Sequence, residues 1–131
     1  FFSGDKELIH LNIKEDFQFY GNELLTIHVL FNLIKNSLYY IKSARKGEIT
    51  IWLTVNDSFN CLHFKDTGKG VSQEILPHIF DLFYSKTSQG YGLGLAFCAM
   101  VMKSYSGHIK CESVEGSYIE FILKFLKIKE V

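Results

Sequence analysis

Asp66-Thr67-Gly68-Lys69-Gly70 follows the apolar run Cys61-Leu62-His63-Phe64-Lys65, so a strand ends by delivering a carboxylate into a glycine-bearing turn. Reading outward from there, Glu48 to Val55 alternates as a strand, and Asn56-Asp57-Ser58 turns the chain back antiparallel into Cys61 to Lys65. Upstream, Asn22 to Ser43 carries Leu24, Ile27, Leu30, Ile34, Leu38 and Ile41 three or four apart. That spacing predicts a helix with one buried stripe, capped by Asn22 and ended at Gly47. Farther upstream, Leu8 to Ile13 reads as a half-buried strand and Phe17 to Tyr20 as a short partner strand.

Downstream of Gly70, Ser72 is placed to cap a short helix through Glu74 to Leu82, bent or split by Pro77. Ser85 to Tyr91 has the polar, glycine-bounded composition of a mobile loop, and Leu93 to Ser104 returns to helical spacing before Gly107 stops it. His108 to Ser113 and Ser117 to Leu126 read as closing strands joined at Glu115-Gly116. The elements sum to an α+β sandwich: a mixed, mostly antiparallel sheet covered on one face by three helices.

With 131 residues, 47% of them hydrophobic, the chain is expected to be a single domain with a sizeable core. Fourteen basic side chains balance fourteen acidic ones, which argues against nucleic acid as a partner. Cys61, Cys98 and Cys111 show no paired spacing for zinc or a redox dithiol, so a reduced, cytoplasmic setting is expected. The longest apolar runs fall short of the roughly 20 residues of a membrane span. The piece is therefore expected to be soluble and monomeric, and a start at Phe1-Phe2 without methionine or leader reads as a fragment of a longer protein.

Three features carry chemistry. Asn32 and Asn36, four apart within Phe31-Asn32-Leu33-Ile34-Lys35-Asn36, share a helix face that Tyr40 continues. An amide oxygen there is a sensible ligand for magnesium, which takes hard oxygens and keeps several waters. Asp66 can accept from an exocyclic adenine amine, and Gly68 and Gly70 lack the Cβ that would keep the backbone from a base. Gly90-Tyr91-Gly92-Leu93-Gly94-Leu95 opens a helix whose free amides favour phosphate. It is not a dinucleotide fingerprint, because position 95 is Leu and a polar loop precedes it. The set points to a nucleoside triphosphate. Taken singly, each element also has an ordinary structural reading as solvated helix residues, a capped turn or a helix start.

In this order the asparagine helix, Asp66-x-Gly68-x-Gly70, the aromatic stretch Ile79-Phe80-Asp81-Leu82-Phe83-Tyr84-Ser85-Lys86 and Gly90-x-Gly92-Leu93-Gly94-Leu95 resemble the four boxes of sensor histidine kinases. The resemblance is to their catalytic, ATP-binding domain, of the superfamily shared with gyrase, the Hsp90 chaperone and the MutL repair protein. It implies a two-layer α/β sandwich of the Bergerat type. The wording Leu38-Tyr39-Tyr40-Ile41 after Asn36 looks most like quorum-sensing hybrid kinases.

The resemblance makes Asn36 the Mg2+ ligand, Asn32 its companion near the phosphates and Asp66 the adenine contact. It makes Gly68 and Gly70 shapers of the base pocket and Phe80 and Phe83 anchors of a lid. Gly90, Gly92 and Gly94, with Leu93 and Leu95, would let that lid fold over ATP, and Lys86 would reach the phosphates. The implied partners are a phosphoacceptor-histidine dimerisation domain of the same protein and a downstream receiver domain or response regulator. This domain would be cytoplasmic, with an anchor in the inner membrane open to the parent protein.

Two positions depart from the family pattern. Tyr39 stands where many kinases carry a lysine, unless Lys35 or Lys42 substitutes, and Tyr105-Ser106-Gly107 replaces the usual His-Gly-Gly. Asn32 occupies the place of the water-activating glutamate of hydrolysing relatives, and an amide cannot act as a general base. None of the five histidines has the family's phosphoacceptor setting. Rival readings are an ATP-hydrolysing machine, a serine kinase of the same fold, and a degenerate nucleotide-binding scaffold.

Overall fold

A computed structural model describes residues 4–84 and 93–128. Its longest element is α1, Glu23–Ala44. The Asn22 side chain accepts from the Leu25 amide at 2.9 Å, as a helix N-cap should. Arg45, left-handed at φ 56°, ends the helix by donating its amide to Ile41 O, and Gly47 follows at φ 117°. The buried stripe is Val29, Leu33, Ser37, Leu38 and Ile41, whereas Leu24 and Ile27 are exposed. The expected stripe is therefore turned and begins a turn later. The first half of α1 is apolar on several sides, so its periodicity does not select one face.

Among the described residues five strands form one sheet in the order β1-β2-β3-β5-β4. They are β1, Ile9–Leu11; β2, Ile49–Val55; β3, Phe59–Asp66; β4, His108–Val114; and β5, Tyr118–Leu126. The edge strand β1 pairs parallel with β2 and every other pairing is antiparallel, as the alternation and tight turns require. The Asn56 carboxamide builds the β2–β3 turn by accepting from the Ser58 and Phe59 amides. Alternate residues of β5, namely Ile119, Phe121, Leu123 and Phe125, face the core with Ile49 and Phe64. The second helix, α2, Gly94–Ser104, packs beside α1 and adds Cys98, Val101 and Met102. Among the described residues no helix is long and apolar enough to cross a membrane.

Two expectations need correction. The described residues contain two α-helices, not three: the segment after Ser72 makes only a 3-10 turn at Leu76–His78. Ser72 does bond the Ile75 and Leu76 amides, but Pro77 supplies no amide and limits the turn to its own length. Phe17 to Tyr20 is not a strand. Phe17 and Phe19 pack against the core instead, their rings centred 5.7 and 4.1 Å from Phe125, while Tyr20 stays exposed.

Tyr105, at the end of α2, fastens the start of α1. Its hydroxyl donates to Asn22 O at 2.9 Å, lies 2.9 Å from Thr26 Oγ1 and accepts from the Asn22 amide at 3.1 Å. Tyr105→Phe should cost about 1–2 kcal/mol by leaving these groups without the phenol. A lower urea midpoint at unchanged slope would show it.

Candidate functional site

Asp66 is the last residue of β3, paired between Ile49 of β2 and Ile119 of β5, and is 0% exposed. Its Oδ2 accepts from the Ser37 hydroxyl of α1 at 2.6 Å, and its Oδ1 accepts from the Gly68 amide at 3.1 Å. Burial pushes the carboxyl above the ordinary carboxylate range, and these two hydrogen bonds pull it partly back. Sequence reasoning missed Ser37. The available signal was a hydroxyl on the line Val29, Leu33, Ser37, Ile41, where a polar group needs a buried partner.

The turn after Asp66 is clamped from both sides. A Cβ on Gly47 would meet Gly68 N at 2.6 Å, and a Cβ on Gly70, itself at φ 64°, would meet Val114 O at 2.5 Å. The Gly116 amide bonds Lys69 O at 2.7 Å, and Lys46 Nζ donates to Gly116 O at 2.7 Å. Gly70 therefore lets the turn lie against the β4–β5 hairpin, while a Cβ on Gly68 would stand 3.3 Å from Asp66 Oδ1.

Asn32, Asn36 and Tyr40 lie half-buried on one side of α1. Burial raises the Tyr40 hydroxyl, and the neighbouring Tyr39, Tyr84 and Asp66 add to the shift, so Tyr40 borders the same acidic corner. A Cβ on Gly94 would lie 3.4 Å from Asn32 Oδ1, which brings the start of α2 against the asparagine face. Among the described residues no side chain caps α2, and its first turn carries no acid. Its leading amides thus remain donors for an anion, in the positive end of the helix dipole. Leu93 is 46% exposed beside them, whereas Leu95 packs on the core.

Phe80 and Phe83 differ. The Phe80 ring sits 6.1 Å from Phe121 in an edge contact, but Phe83 is 74% exposed with φ 63°. Lys86, Gly90 and Gly92 lie outside the described residues. Neither candidate replacement for the missing lysine points into the corner: Lys42 pairs with Asp5 at 3.1 Å, and Lys35 lies over the Phe31 ring.

Elsewhere, His63 is held between Thr54 and Glu120, and His78 pairs with Asp81. Burial pushes the Cys98 thiol up to about 12. Among the described residues no cluster of histidine, cysteine or carboxylate could hold a metal ion. The Asn36 side chain offers an amide oxygen, a hard donor of the kind magnesium takes.

Residues 21–127 match the family of histidine kinase-, DNA gyrase B- and HSP90-like ATPases. The chain is 38% identical over 124 residues to the CAI-1 autoinducer sensor kinase/phosphatase CqsS of Vibrio cholerae, covering 94% of this chain and 18% of the relative. It is 42% identical over 120 residues to the autoinducer 1 sensor kinase/phosphatase LuxN of Vibrio campbellii, covering 91% of this chain and 14% of the relative. The chain thus spans less than a fifth of either relative. A solved catalytic domain of the histidine kinase ThkA superposes with a TM-score of 0.75 at 25% identity, over 93% of this chain and 81% of that one. With the sheet order, the buried acid at the end of β3 and the asparagine face beside α2, these likenesses show that the chain belongs to the histidine kinase-, gyrase B- and HSP90-like ATPase family, on its sensor histidine kinase side.

Proposed function

We propose that this chain is the catalytic domain of a longer sensor kinase, binding Mg-ATP and giving its γ-phosphate to a histidine on a separate dimerisation domain. The observation that supports the reading is one face of α1 that has Gly94, at the start of α2, beside Asn32 and the buried acceptor Asp66 beside Ser37, with Asn36 between them in sequence. Asp66 is assigned to the adenine amine. Because it is fully covered, a base reaches it only after the groups above it shift.

Asn36 would hold Mg2+, which supplies charge neutralisation for phosphoryl transfer. The α2 amides, with Gly90, Gly92, Gly94 and Lys86, are assigned to the phosphates, and Leu93 and Leu95 to the start of the lid. Asn32 offers no general base, so the site favours waiting for a protein nucleophile over hydrolysis. The parent is proposed to be cytoplasmic or anchored to the inner membrane, to pass phosphate to a receiver domain or response regulator, and to act in quorum sensing as the names of its relatives suggest.

Calorimetry with a non-hydrolysable ATP analogue tests this directly. Binding should strengthen on adding Mg2+, and Asn36→Ala should remove most of that gain, about tenfold or more. The domain alone, incubated with labelled ATP, should yield no acid-labile phosphohistidine. Absence of nucleotide binding would leave only a scaffold, and steady ATP turnover would overturn the preference for transfer.

A further inference from the structure

We infer that Ser37 sets base specificity: by spending its one hydroxyl proton on Asp66 Oδ2, it commits that carboxylate to accept, which selects a 6-amino over a 6-oxo purine. The inference rests on the nucleotide reading above. A serine inside a helix ordinarily turns its hydroxyl back to a carbonyl one turn earlier. Ser37, at 0% exposure, reaches across to β3 instead. The 2.6 Å separation is a short O–H···O contact, as suits a hydroxyl donating to a carboxylate oxygen.

The other oxygen is fixed by a group that can only donate, the Gly68 amide at 3.1 Å. Both oxygens are therefore held by donors. Every lone pair that remains on Asp66 is an acceptor, which suits an adenine amine. In the same seat a 6-oxo purine would oppose carbonyl oxygen to carboxylate oxygen, leaving both unsatisfied. Burial works against this arrangement by favouring the protonated acid, which could donate to a carbonyl. Ser37 opposes that protonation through a contact that no other described side chain makes with Asp66.

The test compares Mg complexes of non-hydrolysable ATP and ITP analogues, titrated calorimetrically into the wild-type chain and Ser37→Ala between pH 5 and 8. In Ser37→Ala the preference for the adenine analogue should narrow by about tenfold. The pH below which that analogue is lost should also move upward. Ser37→Thr, which keeps the hydroxyl, should restore both. Equal weakening for the two bases with an unmoved pH profile would make Ser37 only a strut between α1 and β3 and overturn the inference. Should Ser37→Ala unfold, Ser37→Cys, a weak donor of similar size, gives the same comparison. A wild-type chain that binds neither analogue overturns the nucleotide reading itself, a result distinct from binding both bases equally, which defeats only the specificity role.

Discussion

Asp66→Asn should abolish detectable nucleotide binding while leaving the domain at least as stable as the native chain. These two effects separate because they arise from different properties of one side chain. The asparagine is nearly isosteric, its carbonyl can still accept from the Gly68 amide, and the Ser37 hydroxyl can rotate to accept from the new amine. The base, however, would meet an altered donor pattern inside a dry site, and loss on the order of 100-fold or more is expected.

Stability should move the other way. Burial holds the Asp66 carboxyl above its unfolded value, so between those two values the folded chain binds more protons than the unfolded one. Native stability therefore falls as pH rises through that window, and removing the charge relieves this cost at neutral pH. For nucleotide the sign reverses: the wild-type chain should lose affinity as pH drops through the raised value, because the acceptor becomes a donor. Parallel calorimetry and urea melts check both signs. An Asp66→Asn chain that binds ATP normally, or unfolds outright, would remove Asp66 from the role given to it.

Most of the fold around this candidate site was legible because its parts are local. Asn22 announced the start of α1, the alternation from Ile49 to Val55 fixed β2, and Asp66 had to fall where the paired strand ends. What escaped were contacts between elements distant in sequence. Ser37 reads as an ordinary helix polar residue until β3 is laid beneath it, 29 positions away. The Phe17 to Tyr20 segment has strand composition, yet its Phe17 and Phe19 rings pack on Phe125 and Tyr105 in place of a ladder. Gly70 looked like a concession to a ligand, but the first thing its missing side chain makes room for is the carbonyl of Val114. The expected helix after Ser72 failed for a reason visible in the sequence, since Pro77 sits where a second turn would need an amide.

Phe121→Ala should be the most damaging single truncation for the fold. Phe121 is 0% exposed at the middle of β5, faces Phe64 across the β3 pairing and Cys111 across the β4 pairing, and carries the Phe80 ring on its edge. No neighbour can swing in to fill the space, because the strands on both sides fix their own side chains. Loss of about 3–5 kcal/mol is expected, a large share of the roughly 5–15 kcal/mol that holds a domain of this size. The same truncation frees Phe80 from its seat, so nucleotide affinity should fall in a chain that still folds at low temperature. Phe83→Ala supplies the contrast. That ring is 74% exposed, and its removal should change stability by less than about 0.5 kcal/mol. Urea midpoints of the two variants, measured beside the wild-type chain, decide the matter. Comparable destabilisation by both would mean that Phe83 is packed as Phe80 is, and that the aromatic box acts as one unit and not as an anchor followed by an exposed ring.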